Sequence, residues 1–180
     1  MKIVIATPLY PPDIAEPAPY VKELVKRLVS AHDVTIVAYG NLPEKVDDVA
    51  VVPISKRQPL LTRLFLYTIA LMRAVRTADI LIAENGASVE LPAGIISLFS
   101  HKPLILHIGD RAAADRARTS SMLSLIMRFT EGRARAVVTD VPLVRPEILP
   151  FEPRPDAKLA AYEASWKEHI VILENALRHE

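Results

Sequence analysis

KIVIAT at residues 2–7, PLYPPDIAEPAP at 8–19, YVKELVKRLVSA at 20–31 and HDVTIVA at 32–38 decide the fold. In turn they predict a buried strand (Ile3 to Ala6), a proline-rich loop, an amphipathic helix and a second strand (Val34 to Ala38). A short, apolar, β-branched segment suits a central parallel strand covered on both faces. The helix sets Val21, Leu24, Val25, Leu28 and Val29 on one stripe and leaves Lys22, Glu23, Lys26 and Arg27 outside it. This order opens a Rossmann-like α/β domain, in which sites lie at the carboxyl ends of the strands. The loop from Thr7 to Pro19 occupies that position and is a candidate site loop.

The alternation continues along the chain. Strands are expected at Val49 to Ile54, Ile80 to Ala83, Pro103 to Ile108 and Ala136 to Thr139. Helices are expected at Leu60 to Arg76, near Leu91 to Phe99, and at Ser120 to Glu131, with a turn around Gly86. Such alternation specifies a parallel sheet with helices on both faces. The expected fold class is therefore α/β, a single Rossmann-like parallel-sheet domain over residues 1–141. Five prolines between Pro142 and Pro155 then predict an extended crossing segment, residues 142–155. A terminal helix, residues 156–180, carries Tyr162, Trp166, Ile170, Leu173 and Leu177 at spacings of three and four. That stripe predicts packing on the domain.

At 180 residues the chain can bury roughly 70% of its unfolded surface, enough for a core without disulfide or metal. Absence of cysteine removes thiolate nucleophiles, cysteine-based zinc sites and disulfides together, and is compatible with a reducing cytoplasm. A net charge of +1 argues against a dedicated nucleic-acid binder. The first apolar run has strand length, so no secretory signal is expected. A dinucleotide fold would place G-x-G-x-x-G after the first strand, because only glycine lets the backbone approach a pyrophosphate. The loop here has no glycine, which excludes a nicotinamide or flavin dinucleotide site and a P-loop. Neither cofactor nor metal is expected.

Met1 to Gly40 resembles the start of family 4 glycosyltransferases of the GT-B fold. Those begin with a strand, a TP-x-(Y/F)-PP-like loop and a Gly-Gly-Pro-Ala step into the first helix. Thr7, Pro8, Tyr10, Pro11 and Pro12 match, as do Pro17, Ala18 and Tyr20. ADILIAENG (78–86), KPLILHIGDRAAADRAR (102–118), RARAVVTDVPLVRPEI (133–148) and ASWKEHIVILENAL (164–177) are similar, in the same order, to later segments of that family. The resemblance implies the amino-terminal, acceptor-side domain, closed by the helix that ends the full enzyme.

The departures matter as much. The family's second domain, which binds the sugar nucleotide and carries a Glu-x7-Glu signature, has no counterpart between Val141-Pro142 and the terminal helix. Ala15-Glu16 replaces the Gly-Gly step, and a carboxylate there repels phosphate by several kcal/mol at an effective dielectric near 20. In the GDYAWERA-like stretch the chain has Arg111, Ala114 and Asp115 instead. Aligning Gly109-Asp110 puts Ile108 where the family has a strand-end His; His107 lies one residue off, on the opposite face. One reading is half of a split or degenerate sugar transferase. It would not transfer sugar alone, since the donor diphosphate needs electrostatic partners from the missing domain. It would work with a donor-domain protein. The alternative is a non-catalytic module that binds a saccharide, lipid or protein, or forms a homodimer through the exposed inter-domain face.

Candidate substrate-binding residues are Glu16, Glu84, Asn85, Asp110 and Arg111; no catalytic residue is assigned. Asp110 also suits a turn or helix cap, and His107 suits a satisfied core histidine. Independently of the resemblance, Lys56, Arg57, Arg63, Arg73 and Arg76 flank LFLYTIALM (64–72) with no acid between them. Nine apolar residues fall far short of the ~20 that span a bilayer. The segment suits an anionic membrane surface, a partner or plain core. The expected location is cytoplasmic, peripheral at a membrane if that helix docks there.

Overall fold

The computed structural model describes residues 1–40, 43–44, 46–139 and 155–178. The chain divides into two compact units, Met1–Val138 and Thr139–Glu180. The first unit runs β1 (Lys2–Thr7), α1 (Ala18–Leu28), β2 (Asp33–Tyr39), β3 (Val49–Ile54), α2 (Leu60–Val75), β4 (Ile80–Glu84), α3 (Ala87–Ser100), β5 (Leu104–His107), α4 (Arg111–Thr119), α5 (Ser121–Arg133) and β6 (Ala136–Val138). The strands form one parallel sheet in the order β3-β2-β1-β4-β5-β6. The Rossmann-like α/β fold expected from the strand–helix alternation is present. From β1 the chain steps outward to β3, returns to β4 on the other side of β1, and then steps away to β6. The reversal puts the topological switch point between β1 and β4, where a crevice opens beyond the carboxyl ends.

The pleat sorts side chains between two faces. Val4 and Ala6, Leu81 and Ala83, and Leu104 and Leu106 join Tyr67, Leu71 and Val75 of α2 and Val89, Ala93 and Ile96 of α3 in one buried cluster. The intervening residues Ile3, Ile5, Ile80, Ile82 and Ile105 face the other way and are also buried. On that side α1 buries Tyr20, Val21, Leu24, Val25 and Leu28, the stripe read from its spacing. Each such Leu, Ile or Val contributes roughly 1.5–3 kcal/mol by leaving water.

Two features of the helical layer were not read from the sequence. α3 begins at Ala87, ahead of the expected Leu91, with Pro92 inside the helix. Its ring nitrogen cannot donate to the Ser88 carbonyl four residues back. Tyr39 supplies that missing donor from β2: its hydroxyl donates to Ser88 O at 3.0 Å. Asp110 starts a further helix, α4, which Ser120 ends in an extended conformation that also serves as the N-cap of α5. Gly94 brings α3 and α5 together; a Cβ there would sit 2.7 Å from Phe129 Cε1.

The second unit contributes α6 (Pro155–Arg178). Along it Tyr162, Trp166, His169 and Leu173 are buried at three- and four-residue spacing. The Pro-rich segment from Pro142 lies outside the described residues until Pro155 opens α6. No helix among the described residues is long and apolar enough to cross a membrane.

Candidate functional site

β4 and β5 end side by side at the carboxyl edge. Their register pairs Glu84 with His107, both on the α1 face and both fully buried. His107 Nδ1 lies 2.8 Å from Glu84 Oε2, so one proton sits between the two atoms. The Tyr20 ring of α1 stacks on the imidazole with centroids 4.2 Å apart and planes 12° from parallel. Burial, with the Glu84 carboxylate adding to it, holds the Tyr20 hydroxyl well above its ordinary pKa, so it stays protonated. Glu84 Oε1 has no hydrogen-bond partner among the described residues. A buried carboxylate with one oxygen unmet is costly and calls for an explanation. His107 enters the site through its register with Glu84, which no local spacing reveals. Ile108 packs against the core cluster on the other face.

Asn85 latches this edge. Its backbone N–H donates to His107 O at 2.9 Å. Its side chain donates from Nδ2 to Asp110 O at 2.7 Å and accepts from the Asp110 N–H at 2.8 Å. A carboxamide satisfied on both sides by one peptide pins the start of α4 to the end of β4. Asp110 caps α4, its Oδ1 accepting from Ala113 N–H at 3.0 Å, and its Oδ2 stands 4.0 Å from Arg116 Nη2. Arg111, the first residue of α4, is exposed. The structure thus joins Glu84, Asn85 and Asp110 through hydrogen bonds and sets Arg111 beside them. Glu16 is exposed in the loop after β1, two residues before α1.

Gly86 follows Asn85 with φ +137°, a conformation L side chains rarely adopt. It lets β4 turn directly into α3, and its N–H donates to Glu90 Oε1 at 3.0 Å. Burial pushes the Glu90 carboxyl above its ordinary value, opposed by the Gly86 N–H and reinforced by Glu131.

A second hollow, about 280 Å³, opens beyond β2 and β3, lined by Tyr10, Pro11, Asp13, Tyr39, Pro43 and Lys56 among others. Lys56 Nζ and Asp13 Oδ2 pair at 2.7 Å on its wall. Arg63 lies over the Tyr39 ring, 5.4 Å from its centroid. Burial raises the Tyr10 and Tyr39 hydroxyls to about 12 each, with Glu44 adding at Tyr10 and the Ser88 side chain and Arg63 opposing at Tyr39. Among the described residues, no cluster of three or more His, Asp or Glu is placed to hold a metal ion.

No protein-family profile and no curated relative matches the sequence. Solved structures do match in fold. HepE of Anabaena, determined in complex with UDP and glucose, superposes with a TM-score of 0.55 at 15% identity, over 76% of this chain and 37% of HepE. The UDP-GlcNAc 2-epimerase of Methanocaldococcus jannaschii gives 0.54 at 12% identity, over 94% of this chain and 43% of the epimerase. The chain thus spans about two fifths of the length of these proteins. The likeness is one of fold, the GT-B-like, Rossmann-type architecture.

Proposed function

We propose that this chain is the acceptor-side half of a GT-B sugar transferase of the family 4 type, dependent on a second domain or chain for the nucleotide. One observation carries the reading. The carboxyl edge beside the switch point is braced by the Glu84–His107 pair and the Asn85 latch, yet the loop after β1 offers no phosphate cradle. The loop after β1 has no glycine, and α1 is entered past an exposed Glu16 with no side-chain cap. A braced edge without a cradle suits an uncharged, hydroxylated ligand, which Asp110 and Arg111 can meet. The match to about two fifths of a protein solved with UDP and glucose and of a UDP-GlcNAc 2-epimerase supports the same division of labour.

A second reading, a non-catalytic binding module on the same fold, is favoured by Ala15-Glu16, where a transferase would need an approachable backbone. Ligand-observed NMR on the whole chain separates these. The expected result is no saturable UDP binding and no sugar transfer alone, with contact to glucose or N-acetylglucosamine oligosaccharides. Asp110→Asn keeps the α4 cap and should weaken that contact without loss of stability. Saturable UDP binding by the chain alone would overturn the proposal. Sugar transfer restored by a separate donor-domain protein would select the split enzyme over the module.

A further inference from the structure

α2, α3 and α5 form the helical layer on one face of the sheet, and their outer surface is apolar. On α2, Leu61 is 81% exposed, Phe65 64% and Met72 41%, at steps that keep them on one stripe. α3 adds Phe99 at 74% and α5 adds Leu125 at 69%. Scattered exposed apolar residues are ordinary, whereas a run of them on one layer marks a contact surface. The inner stripe of α2, Tyr67, Leu71 and Val75, is buried in the core, so the helix stays folded while its outer stripe faces solvent.

The exposed charge on this layer is mainly basic: α3 carries one acid, the buried Glu90, and α5 carries one, the half-buried Glu131. No acid occurs from Lys56 to Ala78, from Leu91 to Gly109, or from Arg116 to Thr130. Lys56 is engaged by Asp13 and Arg63 by the Tyr39 ring. Arg57, Arg73 and Arg76 are exposed at the two ends of α2, and Arg128 and Arg133 are exposed on α5. Asp79, four residues past the end of α2, accepts the Lys2 N–H at 2.7 Å.

We propose that this layer docks on an anionic lipid surface, with α2 lying in the plane of the interface. Apolar side chains between cationic ends fit a surface that is hydrocarbon below and negative above. A protein partner would have to supply acids to meet the exposed arginines. α2 has 16 residues and its apolar run is shorter still, so it lies on the bilayer and does not span it. This inference rests on the helical layer and is independent of the sugar-transfer reading.

The test is flotation of the full chain with vesicles of phosphatidylcholine alone, and of phosphatidylcholine with roughly one third phosphatidylglycerol, at low salt. Each arginine near such a surface is worth roughly fivefold in partitioning. Binding is expected only to the anionic vesicles and should fall with added salt. R57A/R73A should weaken it about 25-fold, against little change for K22A/K26A, which removes equal charge from α1 on the other face of the sheet. L61S/F65S, at exposed sites that leave the fold intact by circular dichroism, should abolish it. Absence of anionic-vesicle binding overturns the proposal. So does equal loss from both double charge variants, or a dimer in light scattering that L61S/F65S dissociates, since the layer would then bind a second copy.

Discussion

Replacing His107 with phenylalanine tests the central feature of the site most directly. The ring stays and can keep its stack on Tyr20 at the 4.2 Å spacing, but Glu84 loses the partner at 2.8 Å. Both side chains are fully buried, so H107F strands a carboxylate that has no second hydrogen-bond partner among the described residues. Breaking a buried pair from one side costs about 3–5 kcal/mol. For a chain of this size that corresponds to a Tm lower by roughly 10 °C. E84L removes the carboxylate and leaves a buried imidazole in apolar surroundings. In E84L/H107F neither polar group remains, and well-packed apolar replacements of a buried pair are often neutral or stabilising. The double variant is therefore expected within about 1 kcal/mol of the parent, a coupling of about 3 kcal/mol or more between the two sites. Urea unfolding by circular dichroism measures all four proteins, with an unchanged slope as the check that the transition is the same. Additive costs, or a near-neutral H107F, would refute the reasoning.

The helical layer and its caps give three further expectations. Y39F removes the donor to Ser88 O, which Pro92 leaves without its helical partner; it should cost about 1–2 kcal/mol, and much less in a P92A background, where the backbone donor returns. G94A gains about 1 kcal/mol of helix propensity but drives its Cβ to 2.7 Å from Phe129, so overpacking of about 1–3 kcal/mol should win, with F129L restoring stability in thermal melts. Glu90 has a carboxyl pKa raised by burial, so the folded state holds its proton above the unfolded pKa. The stability this group contributes is complete below the unfolded pKa and is lost as pH rises through the folded one. E90Q should accordingly be more stable than the parent at pH 8, with the difference shrinking toward pH 4; a difference that grows on acidification would contradict that sign.

Much of the fold is legible because its signals are local. Ile3 to Ala6 announces a buried strand by composition alone, and observed β1 extends it by one residue at each end. Leu60 to Arg76 carries no breaker, and α2 ends one residue short of that reading. Where the reading falls short, the deciding contact is distant in sequence. α3 starts four residues before the Leu91 reading with Pro92 inside it, and the donor that compensates Pro92 is Tyr39, 53 residues away by number and on a strand. Arg111 to Thr119 is weakly apolar and buries Ala117; its helix depends on the Asp110 cap, which its spacing suggests, and on the Asn85 latch, which is not visible without knowing that β4 neighbours β5. The Glu84–His107 pair has the same origin. Each residue reads alone as a polar strand end, and only the register makes them partners.

That difference in origin also ranks the candidate residues. Asn85 is accounted for by two hydrogen bonds to the Asp110 peptide, and Asp110 by its cap; a fold needs both whether or not a ligand binds. The buried pair has no comparable structural necessity, because apolar side chains of the same size would hold β4 and β5 together at least as well. A carboxylate and an imidazole kept beneath Tyr20, one strand from the switch point of a parallel sheet, are thus the strongest internal sign that this edge serves chemistry or binding. Sealed from solvent, they cannot touch a ligand in this conformation, and their influence runs through the strand ends that carry Asn85 and Asp110. E84L/H107F separates the two demands. If the pair serves the site, this variant folds like the parent and loses saccharide contact; if it serves only the sheet, contact survives.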